Sequence, residues 1–301
     1  MKAIVSMEHG SPEVLQLKEV PKPTPGEKEV LIRVHAATVT QGDLMLRKLH
    51  PLMYIPMSLF GVKRKKIPGH EFAGEIESVG ADVKHFKVGD RVFGTTTGLS
   101  VGANAEYLCL PEEWDGGVLA LKPDNASYEE SAALPVGGMT ALYILRKGNI
   151  QSGQSVLVYG ASGSVGTYAV QLAKHHFGAE VTGVCSTANI EWVQSLGAEQ
   201  VIDYTKDDVT QIGQIYDVVF DAVGKISSSQ RQSLLKEDGT FLTVQTTTKE
   251  EIENLVVLKE LVEAGKLKAV IDKRFPLDRV AEAHRYVESG RKKGNVVVTV
   301  G

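Results

Sequence analysis

The segment SVLVYGASGSVGTYAVQLAK, residues 155–174, constrains the fold of this chain more than any other stretch. An apolar run of strand length enters a cluster of glycines and leaves with helical spacing. The glycines have separate tasks. Gly160 lets the chain turn sharply out of the strand. Gly163, lacking a Cβ, lets a pyrophosphate approach the backbone. Gly166 lets the helix pack tightly on the strand. The N–H groups of the first helical turn then face the anion, with Ser162, Ser164 and Val165 completing the site. Glycine-rich turns also occur as plain corners. Here the turn lies between strand and helix and a second strand follows at residues 180–185, so a dinucleotide site is expected.

That second strand ends in VCST, residues 184–187. A site for NAD usually offers Asp or Glu there to bind the ribose 2′-hydroxyl, and a carboxylate would repel a 2′-phosphate. The neutral tip leaves room for the phosphate, with Ser186 and Thr187 as its donors, although no Lys or Arg stands at 188 or 189. NADP(H) is the expected cofactor. The same two hydroxyls also suit the cap of a helix starting near Asn189.

Around this turn the chain has two rhythms. Up to about residue 120 it reads as short strands and turns, with strands at 30–34 and 72–79 and a Gly-Asp turn inside 87–93. Helices follow at 128–134 and 138–147, separated by Pro135. Strands at 156–159, 180–185, 200–202, 216–221 and 240–244 then alternate with helices at 165–176 and 189–196, the pattern of a parallel sheet covered on both faces. A helix at 279–289 and a strand at 295–300 close the chain.

Hydrophobic residues make up 43% of the 301 and charged ones 23%, which supports a buried core and excludes wholesale disorder. A net charge of -4 argues against a nucleic-acid surface, and the basic run Lys63, Arg64, Lys65, Lys66 is expected to be a solvated loop. Cys109 and Cys185 form no CxxC pair and make neither a disulfide framework nor a four-thiolate zinc site. A reducing cytoplasm, no signal peptide and no membrane span are expected.

Seven stretches in order carry a family resemblance: PGHEFAG (68–74), VGDRVF (88–93), ALPVGGMTA (133–141), GASGSVG (160–166), LGA (196–198), VIDY (201–204) and DAVG (221–224). On these the chain resembles the zinc-independent branch of the medium-chain dehydrogenases/reductases, the quinone oxidoreductase-like proteins. The resemblance implies an α/β fold: a Rossmann doubly wound parallel sheet inserted in a β-rich, GroES-like partial barrel domain. It places residues 1–122 and 270–301 in the substrate domain and 123–269 in the dinucleotide-binding domain, with the substrate cleft where they meet. It adds Thr140, Tyr204, Ala222, Val223 and Gly224 to the cofactor-binding residues, and a quinone or α,β-unsaturated carbonyl as hydride acceptor.

Zinc-using relatives place a Cys before the Gly-Asp of the first active-site loop. Here the loop reads TVTQGD, residues 38–43, so no metal is expected, and His70 is read as a loop-fixing residue. A hydrogen-bond donor must then polarise the carbonyl. Thr40, Gln41 and Tyr54 are the candidates, Thr40 standing where relatives often carry Asn. Asp43 is expected to brace the loop through backbone hydrogen bonds.

After the strand near residue 244, only residues 245–248 precede the next helix, expected near Lys249. Four residues cannot cross a sheet and return. An edge strand is therefore missing from the pattern, which puts in doubt the homodimer that relatives form there. A zinc-free alcohol dehydrogenase or aldehyde reductase, and an NADP(H)-binding sensor without turnover, are the alternative functions.

Overall fold

The computed structural model describes residues 1–55 and 65–301. In chain order its main elements are β1 (Lys2–Ser6), β2 (Leu15–Glu19), β3 (Glu29–Thr38), α1 (Gln41–Lys48), β4 (Glu71–Val79), β5 (Arg91–Thr95), β6 (Tyr107–Pro111), β7 (Leu119–Leu121), α2 (Tyr128–Ala132) and α3 (Pro135–Lys147). There follow β8 (Ser155–Tyr159), α4 (Ser164–His175), β9 (Glu180–Cys185), α5 (Ile190–Ser195), β10 (Gln200–Asp203), β11 (Tyr216–Asp221), α6 (Ser228–Leu234), β12 (Leu235–Thr243), α7 (Ile252–Glu263), β13 (Ile271–Pro276), α8 (Val280–Glu288) and β14 (Asn295–Thr299).

Packing divides the chain into two compact units. The first comprises Met1–Val136, Glu250–Lys259 and Ile271–Gly301; the second comprises Gly137–Lys249 and Glu260–Val270. Residues 123–136 and 250–259, assigned to the nucleotide-binding domain from sequence, thus pack with the first unit. The reason is local: α2 lies against β3 and β4, and the Glu250 carboxylate accepts hydrogen bonds from Thr95 and Thr97.

In the first unit a seven-stranded sheet runs β13-β14-β3-β4-β5-β7, with β6 also paired to β3. Its pairs are antiparallel except β13–β14. Val30, Ile32, Phe72, Ile76 and Val92 are fully buried in its core. Burying each such side chain is worth roughly 1.5–3 kcal/mol. Helix α8 contributes Val280, Ala283 and Val287, the spacing of one helical face. Strand β13, half exposed and carrying Asp272, Lys273 and Arg274, has no legible alternation and was not expected from the sequence.

The second unit holds a five-stranded parallel sheet in the order β10-β9-β8-β11-β12. Val156, Leu157 and Val158 of β8 are wholly buried, as befits a central parallel strand. The strand order reverses between β8 and β11, the switch point at which such sheets bind ligands beyond their carboxyl ends. The sheet ends at β12 among the described residues, and the next helix starts at Ile252 rather than near Lys249.

Candidate active site

Between β8 and α4 the backbone forms a cradle. Gly160 adopts φ +83°, a region that side chains disfavour, and a Cβ there would come 2.6 Å from Val223 Cγ1. A Cβ on Gly166 would lie 2.1 Å from the Gly160 carbonyl oxygen, so any side chain would push α4 off the turn. Gly163 differs. Its φ is −77°, and the nearest atom to its missing Cβ is the Gly160 carbonyl oxygen at 3.5 Å. Its Cα therefore faces open space, and as N-cap of α4 it places no side chain over the helix start. A Cβ would intrude on this space, while the helix N-terminus favours an anion. The cradle fits the paired phosphates of a dinucleotide, with Ser162, Ser164 and Val165 partly exposed on it.

A second turn stands over the first. The buried Asp221 carboxylate at the end of β11 accepts the N–H groups of Val223 (3.1 Å), Gly224 (2.8 Å) and Ile226 (2.7 Å). Asp221 thereby folds residues Ala222, Val223 and Gly224 across the end of the sheet, with Val223 against Gly160. Thr140, partly exposed on α3, follows Gly137, whose missing Cβ would meet the Ser164 hydroxyl at 2.6 Å. Helix α3 thus runs beside the cradle.

At the tip of β9 the Thr187 hydroxyl donates to the Asp203 carboxylate, while Ser186 Oγ accepts the Asn189 side-chain amide at 3.2 Å. Neither residue caps a helix with its side chain. Tyr204 is exposed beside them, and Lys206 Nζ stands 3.8 Å from Asp203. Lys206 is thus a cation at this tip, supplied from beyond β10 and not from positions 188 and 189.

The first unit carries a cavity of mixed polar and apolar lining beside α1. Its walls include Asp43, Arg47, Tyr54, Lys65 and His70, with Leu15, Leu46, Leu49 and Pro68 as the apolar part. Thr40 is the N-cap of α1. Its hydroxyl accepts the Asp43 N–H (3.1 Å) and donates to Asp43 Oδ2 (2.6 Å), while the Thr40 N–H donates to the same oxygen (2.8 Å). This reciprocal cap was present in the sequence as Thr-x-x-Asp. The other oxygen, Asp43 Oδ1, meets His70 Nδ1 at 2.6 Å. Burial would raise the Asp43 pKa, but His70 and the Thr40 hydroxyl overcome it and hold the carboxyl well below the usual range. Asp43 thus holds the Thr40 backbone and hydroxyl on one oxygen and the His70 ring on the other.

Glu71, beside His70, points elsewhere. It accepts the Thr38 hydroxyl and the Val136 N–H, the latter at 2.6 Å, tying β4 to β3 and to the start of α3. Burial pushes its pKa up to about 8, against the pull of those two hydrogen bonds. Among the described residues no three His, Cys, Asp or Glu side chains are grouped to hold a metal ion.

Of the donors considered from sequence, the Thr40 hydroxyl donates to the Asp43 carboxylate, and the Tyr54 hydroxyl donates to the Leu46 carbonyl at 2.9 Å. Gln41 is exposed at the start of α1. The basic run is divided. Lys63 and Arg64 lie outside the described residues and Lys66 is exposed. Lys65 turns inward, giving Nζ hydrogen bonds to the Thr96 carbonyl (2.9 Å) and hydroxyl (2.5 Å). Burial lowers its pKa to about 8, against the raising influence of Asp43 and Glu250. Reading the run as a solvated loop missed this residue, because four consecutive cations do not say which of them folds inward.

Family models match both parts of the chain: the alcohol dehydrogenase GroES-like domain over residues 26–124 and the zinc-binding dehydrogenase domain over residues 164–270. The chain is 36% identical to the 2-methylene-furan-3-one reductase of Solanum lycopersicum, covering 99% of this chain and 79% of that protein. It is 34% identical, with the same coverage, to the chloroplastic NADPH-dependent alkenal/one oxidoreductase of Arabidopsis thaliana. The solved quinone oxidoreductase from Coxiella burnetii superposes with a TM-score of 0.87 at 30% identity, covering 100% of this chain and 99% of that one. With the glycine cradle, the DAVG turn and a match along nearly its whole length, the chain belongs to the quinone oxidoreductase-like medium-chain dehydrogenases/reductases.

Proposed function

We propose that the chain is an NADPH-dependent oxidoreductase that transfers a hydride to a quinone or an α,β-unsaturated carbonyl. The observation that carries this reading is the open, side-chain-free face of Gly163 at the start of α4, a shape suited to a pyrophosphate. Relatives named for furanone, alkenal/one and quinone chemistry support the acceptor class. When bound, the nicotinamide supplies the hydride.

The chain's own residues bind and orient. Gly160, Gly163, Ser164 and Val165 hold the pyrophosphate, the turn 222–224 lies along the cofactor, and Lys206 joins Ser186 and Tyr204 near the 2′-phosphate. In the first unit the acceptor's carbonyl oxygen gains negative charge as it is reduced, so a positioned donor lowers the barrier. Thr40 and Asp43 serve as positioning residues for that cavity and Tyr54 as part of its wall. A cytoplasmic location belongs to this proposal, supported by the sparse use of cysteine. A homodimer is possible but doubtful on the same reading, because among the described residues the parallel sheet has five strands and ends at β12. Sedimentation velocity of the purified chain tests the latter.

The test of function is the loss of reduced-nicotinamide absorbance when the chain is mixed with NADPH and a panel of quinones, enones and simple aldehydes. Oxidation with quinones or enones supports the proposal. Oxidation with simple aldehydes alone, or with nothing in the panel, refutes it.

A further inference from the structure

We propose that Lys65 is the cationic donor that receives the acceptor's carbonyl oxygen in the first-unit cavity, an assignment that rests on the reductase reading above. Three observations lead to it. Lys65 lies on the cavity wall with Tyr54, Asp43 and His70. Its ammonium is anchored from one side by the carbonyl and hydroxyl oxygens of Thr96. Those two bonds use two of its three N–H groups and leave one for a ligand. The hydroxyls that sequence offered for this task are engaged: Thr40 donates to Asp43 and Tyr54 to the Leu46 carbonyl.

Anchoring is what separates Lys65 from an ordinary surface lysine. A free lysine must order four side-chain torsions to meet a substrate, whereas Thr96 fixes this one beforehand. The partly desolvated setting also strengthens its attraction for a developing oxyanion. The chemistry balances simply. A hydride adds to the β-carbon of an enone, the carbon–carbon π pair moves toward the carbonyl, and charge settles on oxygen beside the Lys65 N–H. A proton from water then reaches the α-carbon, giving the saturated ketone and returning Lys65 unchanged.

Several ionisable groups face this ammonium. Asp43 on α1 and Glu250 ahead of α7 act on it directly, and Glu8, His9, Arg47, Tyr54 and His70 line the same cavity. Asp43 and Glu250 favour its charged form and burial opposes them. The balance leaves its pKa at about 8, so a cationic donor is lost within an accessible pH range.

The experiment compares the full chain with Lys65→Met and Lys65→Arg, using methyl vinyl ketone as acceptor. Nicotinamide fluorescence reports NADPH binding and a thermal melt reports folding. Lys65→Met is expected to bind NADPH as the parent does and to lose about 100-fold in kcat/KM, the usual scale for one oxyanion donor. The parent's kcat/KM should fall as pH rises through about 8. Lys65→Arg stays charged, so it should keep measurable turnover without that alkaline fall. A Lys65→Met chain within threefold of the parent overturns the assignment alone. So does an alkaline fall that Lys65→Arg shares. A parent that binds NADPH yet reduces no acceptor overturns the functional reading and the assignment together.

Discussion

His284 sits on α8 with 0% exposure, and neither ring nitrogen has a hydrogen-bond partner among the described residues. Burial is the main cause that holds its pKa down at about 4. The nearby Asp43 carboxylate pulls the other way, and Arg47 adds to the effect of burial. The unfolded chain returns this ring to an ordinary value of 6.5. Between those values the unfolded state binds more protons than the folded one, so stability is present above pH 6.5 and is lost as pH falls toward 4. At pH 5 the loss is about 2 kcal/mol, and at pH 7.5 it is close to zero. Glu71 has the opposite slope: its pKa is raised from 4.5 to about 8, so its contribution is lost as pH rises through that interval. The parent's total pH profile therefore mixes the two, and a difference between variants is needed. His284→Leu removes the titrating ring and both unpaired nitrogens while keeping apolar bulk. The stability gap between this variant and the parent should widen in the variant's favour by about 2 kcal/mol from pH 7.5 to pH 5. Urea unfolding measures it. The chain has two tryptophans, and Trp114 belongs to the first unit, its indole N–H donating to the Thr97 carbonyl at 2.7 Å. In a Trp192→Phe background, fluorescence follows the unit that contains His284. A gap that stays constant within about 0.5 kcal/mol across that range would refute a neutral, unpaired His284.

Other expectations concern the cradle and its rim. Gly163→Val should fold normally, since its backbone suits any residue and its Cβ meets only ordinary contact, but should lose NADPH binding by at least tenfold in a fluorescence titration. Gly166→Ala should instead destabilise the second unit, by about 2 kcal/mol or more in thermal or urea unfolding, because its Cβ would lie 2.1 Å from a backbone oxygen. Equal effects of the two substitutions on folding would contradict their different surroundings. Lys206→Ala should weaken NADPH roughly tenfold and leave NADH unchanged, since only the former carries the 2′-phosphate. Calorimetry with both coenzymes decides this, and a matched loss for the two would remove Lys206 from the phosphate site.

What was legible in the sequence and what was not divide along a physical line. The cradle is built within seven residues, from Gly160 to Gly166, and its tightest approach, Gly166 to the Gly160 carbonyl oxygen, lies inside that stretch, while Val223 closes over Gly160 from the DAVG turn. Its geometry therefore follows from local spacing, and the parallel sheet around it follows from alternating periods. The DAVG turn became legible through resemblance, and the structure supplies its cause in the buried Asp221 carboxylate. The first-unit cavity is of another kind. Asp43, Lys65, His70, Thr96 and Glu250 come from distant stretches, and what each does depends on which of the others it meets. Thr40 is a hydroxyl in the right loop, but the Asp43 carboxylate three residues on accepts its hydrogen bond. Lys65 sits in a run whose composition favours solvent, yet Thr96 draws one member of the run inward. Local propensity weighs a lysine by its own cost of desolvation. The structure weighs it by the oxygens waiting for it, and those are thirty-one residues further along the chain.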